Sequence, residues 1–297
     1  MSDNITVSPA DINNHSETTT TPRLIVVAPT FYTDANDVRY ALALECCREA
    51  AEHAIEFVLI DASPSQAIRD GLKSAGRGFV AVVSQTSKGK KGAALREGIR
   101  LASEMLRKRD DKTNSSSGST STTTTKRRAI IGFQEPEKVD MVRHWKSIAI
   151  HASESGSDIV VPCRKDDDFL ATYPIEQYHS EQFANLFLDS LARKIGLGVS
   201  IDWTAGPVAF DVSMADQWLA CDGDIWDAQL LPIIDCFLHR KATITSFEID
   251  YRHPESMKEQ EGGNPAFNEK RLHQLNFLSD TVGKRMREAV VEQRLSK

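Results

Sequence analysis

The chain has 297 residues, of which 40% are hydrophobic and 26% are charged, and its formal net charge at pH 7 is −6. This apolar content can fill the core of one large α/β domain or two small ones, and it indicates a globular protein. The acidic balance argues against a dedicated nucleic-acid-binding protein, which needs a broad basic face. No apolar run reaches the roughly 18 residues that span a membrane, so we expect no membrane span.

Residues 1–22 are polar and lack the basic start and apolar run of a secretory signal, so they are expected to form a disordered leader. The five cysteines contain neither a CxxC pair nor an even set for disulfides. Reduced thiols and a cytoplasmic protein are therefore expected. The sequence does not determine the oligomeric state, and a homo-oligomer is one of the options.

Short apolar runs alternate with helical patterns from Arg23 onward. The predicted strands are RLIVVAPT, IEFVLIDAS, GFVAVVS, RAIIGF and DIVVPC, and the predicted helices between them are DVRYALALECCREAAEH, PSQAIRDGLKSAG, GAALREGIRLASEMLRK and EKVDMVRHWKSIAIHASES. This succession predicts an α/β fold with a mainly parallel, doubly wound sheet and helices on both faces. A Ser/Thr-rich segment at about 109–127 is predicted to be a disordered surface insertion, because it lies between a helix and a strand.

The second half is less regular. It contains the predicted helices HSEQFANLFLDSLARKIG, DIWDAQLLPIIDCFLHR and one around 267–291, together with the predicted strands PVAFDVS and ATITSFEIDYRHP. We expect a single domain over residues 23–297.

Candidate chemistry lies where the predicted strands end, because ligands of parallel sheets bind beyond the carboxyl ends of the strands. Asp61 ends the second strand, and Glu135 and Glu137 follow the fourth. After the third strand, Lys88 and Lys91 lie among glycines at a helix N-terminus, an arrangement that suits a phosphate. The alternative for this lysine loop is a solvated basic turn.

The segments APTFY, IDAS and KGKKGAALREGIRLA, and the strand that ends on an acidic triplet, resemble GT-A fold glycosyltransferases of the family 2-like group and relatives that act on glycerate acceptors. The resemblance covers residues 24–142 well and the remainder loosely. It implies a Rossmann-like GT-A fold with a nucleotide-sugar-binding half at 23–162 and an acceptor-side half at 163–297.

The resemblance implies a nucleotide-sugar site in the first half. Pro29, Thr30 and Tyr32 would lie against the base and ribose, and Asp61 would bind the base. Lys91, with Lys88 nearby, would approach the diphosphate and stabilise the negative charge of the leaving group.

Such enzymes carry an Asp-x-Asp motif at the end of the fourth strand, where it holds the ribose and a divalent metal. This chain has Glu135-Pro136-Glu137 there. The resemblance implies that Glu135 contacts the nucleotide sugar and that Glu137 binds Mg²⁺ or Mn²⁺, which prefer oxygen ligands. The alternative places Pro136 at the first position of the next helix, with Glu137 near the positive end of its dipole.

The acceptor side rests on two further segments. DWTAGPVAFD resembles an acceptor-side loop and points to Gly206 as an acceptor-binding residue. GDIWDAQL falls where the resemblance places an acidic residue near the acceptor, which makes Asp224 or Asp227 the candidate general base, with Asp227 preferred and Asp224 then an acceptor contact. The alternative is that Asp224 caps a helix and Asp227 is a first-turn charge.

Two more residues carry open alternatives. Arg164 offers a planar fork of donors to an anionic acceptor, or else it forms a surface ion pair with residues 166–168. His253 resembles the histidine that completes the metal shell in several GT-A enzymes, whereas a lone histidine is more often structural.

The sequence thus predicts an enzyme, a metal-dependent hexosyltransferase that moves a sugar from a nucleoside-diphosphate donor to a small soluble acceptor. Two alternatives stay open. One is a non-catalytic nucleotide-sugar-binding protein with a degenerate metal site, and the other is a sugar-phosphate nucleotidyltransferase.

Overall fold

The computed structural model describes residues 21–87, 90–115 and 127–295. Most of the predicted leader, Lys88, and residues 116–126 of the predicted insertion lie outside the described residues. Within the described chain, no helix combines the length and the apolar character that crossing a bilayer requires.

The strands of the described residues form one seven-stranded sheet. They are β1 (Arg23–Thr30), β2 (Glu56–Asp61), β3 (Val80–Ser84), β4 (Ala129–Phe133), β5 (Ile159–Arg164), β6 (Val208–Asp211) and β7 (Ile244–Ile249). The strand order is β3-β2-β1-β4-β6-β5-β7. All pairings are parallel except those of β6, which runs antiparallel to both β4 and β5. The prediction of a mainly parallel sheet is confirmed.

Helices cover both faces of the sheet. They are α1 (Val38–Glu52), α2 (Gln66–Ala75), α3 (Lys91–Ser115), α4 (Trp145–Glu154), α5 (Asp166–Thr172), α6 (Ile175–Lys194), α7 (Ala215–Ala220), α8 (Asp227–Asp235), α9 (Glu255–Glu261), α10 (Pro265–Leu278) and α11 (Lys284–Leu295). Short 3₁₀ segments occupy Val139–His144 and Val212–Met214, and π-helical turns follow α8 at Cys236–Arg240 and α10 at Ser279–Gly283.

The core has two layers, because successive side chains of a strand point to opposite faces. Ile25 and Val27 of β1 pack in the layer that contains α3, α6, α8 and α11. Val26 and Ala28 pack in the layer that contains α1, α2 and α4. Burial on both faces explains why β1 reads as a continuous apolar run.

The parallel register brings the exits of the first three strands to one edge. Thr30 at the end of β1 pairs with Asp61 at the end of β2, and Asp61 pairs with Ser84 at the end of β3. The segment that follows β4 leaves the sheet beside them, since Phe133 pairs with Val27. The fold therefore assembles the predicted strand exits at the carboxyl edge of the sheet.

Some predicted boundaries differ from the structure. α3 continues to Ser115, into the segment that was expected to be disordered, and Arg109 of this helix donates to Glu56 at 2.7 Å. The short helices α5, α7 and α9 were not predicted. The helix expected from residue 137 begins as a 3₁₀ segment at Val139, and α4 follows it.

Candidate functional site

Two cavities meet at the Glu135-Pro136-Glu137 turn. The β1 cavity, of about 470 Å³, lies between the exit of β1 and the start of α3. The α10 cavity, of about 280 Å³, lies among α6, α10 and the segment after β7. The side chains common to both linings are Arg39, Lys91, Glu135 and Glu137. We call this shared region the junction.

A buried glutamine fixes the turn at the junction. Gln134, which is fully buried, donates to the carbonyls of Glu135 and Lys138, both at 3.3 Å, and accepts from Trp145 Nε1 at 2.5 Å. The Lys138 N–H donates to the Glu135 carbonyl at 3.1 Å, which closes a β-turn with Pro136 at its second position. Pro136 is thus a turn residue. The alternative that it starts the next helix is wrong, because that helix begins after Lys138.

Glu135 lies between a lysine and a glycine. Its Oε1 accepts from Lys91 Nζ at 2.6 Å and from Gln229 Nε2 at 3.3 Å, while its Oε2 is buried and has no hydrogen-bond partner among the described residues. Burial opposes the charge, but the charges of Lys91 and Lys138 and these hydrogen bonds lower the pKa of Glu135 to about 2. Glu135 is therefore ionised at neutral pH and has one oxygen left for a donor from a ligand.

Gly206 makes room for this carboxylate. It has φ of +93°, and a Cβ at this position would lie 2.6 Å from Glu135 Oε2. Gly206 was predicted to bind the acceptor, and it does line the α10 cavity. Its backbone also sets the position of Glu135.

We expect Gly206→Ala to lower the free energy of unfolding by about 1–3 kcal/mol, since an L side chain at this φ is strained and its methyl group displaces the Glu135 carboxylate. Urea denaturation measures the change. The control is Gly198→Ala, where a Cβ meets nothing within 4 Å and a change under about 0.5 kcal/mol is expected. Equal changes in the two variants would contradict this role of Gly206.

Glu137 contacts side chains of α1 and of the segment after β1. Its Oε1 lies 2.7 Å from Arg39 Nη2 of α1 and accepts from the Tyr32 hydroxyl at 3.4 Å. The Glu137 side chain is 12% exposed, whereas that of Arg39 is 55% exposed. The two carboxylates of the turn are thus paired with cations of two different helices.

The predicted metal ligands Glu137 and His253 do not form a site together. His253 stacks on Tyr173, and its Nε2 lies 3.3 Å from Glu261 Oε2. Burial lowers the pKa of His253 in spite of Glu261, so the ring is neutral at pH 7. In the described part of the chain no group of three His, Cys, Asp or Glu side chains is placed to hold a metal ion. As placed, these residues do not fit a divalent metal.

The predicted nucleotide-sugar residues separate into two groups. Pro29, Thr30 and Tyr32 line the β1 cavity with Lys91 and Glu135. Asp61 does not line it, since its side chain is fully buried.

Asp61 forms hydrogen bonds that connect the ends of β1 and β2. Its Oδ1 accepts from the hydroxyls of Thr30 and Ser63, both at 2.7 Å, and its Oδ2 lies 3.4 Å from Arg69 Nη1. In this geometry Asp61 positions Thr30, and contact with a base stays a prediction. Lys88 lies outside the described residues.

The sequence reasoning missed an exposed aromatic at the β1 cavity. Phe31 is 61% exposed although it directly follows β1, and it lines the cavity beside Gln85. An aromatic face at the mouth of a cavity is suited to stacking on a nucleobase. The available signal was the position of Phe31 within the quoted APTFY segment.

Arg164 lies outside both cavities, in a buried network. Its guanidinium donates to both oxygens of Asp202 at 2.7 and 2.9 Å and to Glu181 Oε2 at 2.8 Å, and it stacks on Phe169 at 3.7 Å. Its side chain is 2% exposed. Neither the expected acceptor contact nor the alternative of a surface pair with residues 166–168 matches this placement.

The network predicts a specific acid sensitivity. Burial opposes ionisation of Asp202, but Arg164 and hydrogen bonds lower its pKa from 3.8 to about 2. Because the folded state binds fewer protons, this contribution of about 2 kcal/mol is present above pH 4 and is lost as the pH falls from about 4 towards 2. We expect Asp202→Asn to flatten the pH dependence of unfolding in this window.

Urea unfolding at several pH values measures this dependence. Asp216→Asn is the control, since Asp216 is 55% exposed in its pair with Arg240. If Asp202→Asn keeps the steep acid loss of the unaltered protein, Asp202 is not the group responsible.

Asp227 and Asp224 lie at the start of α8. Asp227 Oδ1 accepts from the backbone N–H groups of Asp224, Ile225 and Ala228 at 3.0, 2.8 and 3.0 Å. Asp224 is exposed and lies 3.8 Å from Lys90. Neither aspartate lines the two cavities. Asp227 is the first-turn charge that the alternative describes, whereas Asp224 does not cap the helix, because the N-cap residue is Trp226.

Unpaired polar atoms concentrate in the α10 cavity. Among the described residues, the buried atoms of its lining without hydrogen-bond partners are Glu135 Oε2, Tyr173 Oη, Gln177 Oε1, Tyr251 Oη, His253 Nδ1 and Arg271 Nε. Since buried polar groups are nearly always hydrogen-bonded, this concentration indicates a site for a polar ligand.

Lys138 adds a positive charge to the α10 cavity, and the sequence reasoning missed it. Its Nζ lies 5.4 Å from the centre of the Tyr251 ring, and none of the described carboxylates is within ion-pair distance of it. Burial opposes the charge, but Tyr173 and Glu135 raise the pKa of Lys138 above its ordinary value. The signal was a lysine directly after the acidic triplet.

Solved structures share this fold. The crystal structure of glucosyl-3-phosphoglycerate synthase from Mycobacterium tuberculosis is 13% identical, covers 88% of this chain and 81% of its own, and has a TM-score of 0.51. The structure described as a mycobacterial protein is 12% identical over 88% of this chain and 75% of its own, with a TM-score of 0.53. No protein-family model and no curated protein sequence matches the chain. The likeness confirms the GT-A fold.

Proposed function

We propose that the protein is a glycosyltransferase that moves a sugar from a nucleoside-diphosphate donor to a small anionic acceptor. The observation that carries the proposal is the meeting of two cavities at the Lys91–Glu135 pair on the carboxyl edge of a GT-A sheet. A group-transfer enzyme for two substrates needs such a junction, where the reacting atoms of both come together.

The β1 cavity suits the nucleotide. Phe31 offers an aromatic face at its mouth, and Thr30 and Tyr32 supply the wall. Lys90 and Lys91 enter the same cavity at the start of α3, where cations can neutralise a diphosphate. The volume of about 470 Å³ lies within the range of small-molecule sites.

The α10 cavity suits a polar, anionic acceptor. Its donors include the half-buried Lys138 and the buried Arg271 Nε, and its unpaired hydroxyls on Tyr173 and Tyr251 can bind acceptor oxygens. The neighbouring fold from M. tuberculosis is that of a glucosyl-3-phosphoglycerate synthase, so a phosphorylated glycerate is the first acceptor to test.

The proposed transfer breaks the bond between the sugar C1 and the diphosphate oxygen and forms a bond from C1 to an acceptor oxygen. The bond electrons leave with the diphosphate, and the proton of the acceptor hydroxyl passes to water. Lys91 faces the junction and would stabilise the charge that develops on the leaving group. Glu135, with a pKa of about 2, is too weak a base to take the proton at neutral pH and is instead suited to accepting a sugar or ribose hydroxyl through Oε2.

The test combines UDP-, GDP- and ADP-activated glucose and mannose with 3-phosphoglycerate or glycerate and measures nucleoside diphosphate release and the glycoside formed. Product with one donor and the phosphorylated acceptor is expected. Donor binding without turnover would favour the non-catalytic binding protein, and pyrophosphate release from a nucleoside triphosphate would favour the nucleotidyltransferase. Failure of every donor to bind would exclude the proposal.

A further inference from the structure

The carboxylates of Glu135-Pro136-Glu137 are occupied by cations of this chain. Lys91 Nζ lies 2.6 Å from Glu135 Oε1, and Arg39 Nη2 lies 2.7 Å from Glu137 Oε1. These are ion-pair contacts with charge-assisted hydrogen-bond distances. The two positions where the GT-A resemblance expects a nucleotide-sugar contact and a metal ligand therefore carry paired charges, Glu135 with α3 and Glu137 with α1.

We propose that Arg39 and Lys91 hold the donor diphosphate in place of a divalent metal ion. This proposal rests on the proposed function, because it concerns the donor of that reaction. Both cations line both cavities, so both reach the point where the nucleotide and the transferred sugar meet.

The donor capacity of the two side chains allows this role. A guanidinium has five N–H donors and an ammonium has three. Arg39 uses Nη2 for Glu137, and its side chain is 55% exposed, so a ligand can reach its remaining donors. Lys91 is 25% exposed and donates to Glu135. Both can contact phosphate oxygens while they stay near their carboxylates.

The charge around the junction also matches a diphosphate. The charged side chains that line the β1 cavity are the cations Arg39, Lys90 and Lys91 and the carboxylates Glu135 and Glu137. The cations exceed the carboxylates by one, so the cavity carries the positive charge that an anionic diphosphate needs. Glu135 is held ionised at neutral pH, because Lys91 and Lys138 keep its pKa low against the effect of burial.

The carboxylates are fixed away from a shared metal position. Glu135 Oε2 lies against Gly206, whose absent side chain leaves the space for it. The other predicted metal ligand, His253, stacks on Tyr173 and faces Glu261. Bringing Glu137 and His253 onto one cation would require the Arg39 ion pair and the His253 stack to break.

Calorimetric titration of the full chain with UDP, GDP and ADP tests the proposal, with each nucleotide measured once in EDTA and once in Mn²⁺. We expect one nucleotide to bind in EDTA with an affinity within about threefold of that in Mn²⁺. Binding that appears only with Mn²⁺ would overturn this proposal and leave the proposed function standing. Absence of binding under both conditions would overturn the proposed function and this proposal with it.

Variants assign the effect to the two cations. Arg39→Gln and Lys91→Met are each expected to weaken nucleotide binding in EDTA by roughly 10- to 100-fold, the loss of a hydrogen bond to a charged group. Because Lys91→Met leaves Glu135 unpaired, the double variant Lys91→Met/Glu135→Gln tests the lysine with the local charge balance kept, and the same loss is expected.

Arg48→Gln is the matched control, since Arg48 lies on α1 as Arg39 does but is exposed and lines neither cavity. Its affinity should equal that of the unaltered protein. Unchanged affinity in Arg39→Gln and in both Lys91 variants would overturn the proposal.

Discussion

Arg164→Met is expected to lower the free energy of unfolding by about 3–5 kcal/mol, because it leaves the buried Asp202 without its cation and the buried Glu181 with Arg271 alone. Asp202 and Glu181 are 4% and 5% exposed at their side chains, and both accept from the Arg164 guanidinium. The variant also loses the stacking contact of 3.7 Å on Phe169. Urea denaturation at neutral pH measures the change.

The comparison variant for Arg164 is Arg240→Met. Arg240 forms a pair of 2.8 Å with Asp216, but both side chains are well exposed, so we expect a loss below about 1 kcal/mol. An Arg164→Met protein of undiminished stability that has lost only its affinity for an anionic acceptor would show that Arg164 binds the acceptor, as the sequence suggested.

Lys138→Met is expected to reduce kcat/KM for an anionic acceptor by about 30- to 1,000-fold, the cost of removing one partner of a desolvated charge pair. Lys138 lines the α10 cavity, and no carboxylate of the described residues lies within ion-pair distance of it. Its charge is therefore available to a ligand. Steady-state kinetics with 3-phosphoglycerate, and calorimetric binding of this compound alone, measure the effect.

Donor binding separates this role from general damage to the site. The affinity of the Lys138→Met protein for the donor nucleotide should stay within about threefold, whereas the acceptor affinity falls. Lys146→Met is the control, because Lys146 is exposed on the following helix and lines neither of the two cavities. A loss in donor affinity as large as that in acceptor affinity would place Lys138 on the donor side instead.

Much of the fold could be predicted because the sheet is buried on both faces. The strands β1 to β7 all coincide with predicted apolar runs, and the long helices follow their periodicity. The helices α5, α7 and α9 have only six or seven residues each, too few for a periodic signal, and such short helices depend on tertiary contacts.

The site could be predicted only where it follows from topology. Strand exits placed Thr30, Lys91 and Glu135 at one edge, and they line the cavities as that argument requires. The partners of side chains do not follow from strand order. Arg164 meets Asp202, which lies 38 residues further along the chain, so its burial could not be read from the residues beside it.

The same limit applies to Arg39. It stands on an amphipathic helix without any local motif, and only the packing of α1 against the segment after β4 brings it to Glu137. The departure from Asp-x-Asp was visible in the sequence, whereas the cations that pair with both glutamates were not. The resemblance to the Asp-x-Asp motif therefore predicted where the site lies, but it did not predict which groups pair with the two glutamates.

The turn at Pro136 also has a mechanical consequence. Glu135 is tied to α3 and Glu137 to α1, and these helices belong to opposite layers of the sandwich around the sheet. The turn thereby connects the two layers at the carboxyl edge of the sheet. Pro136 stiffens the backbone of this turn, because its ring fixes φ. Loss of one ion pair would therefore release the turn from one layer only, because the other pair still holds it to the opposite layer.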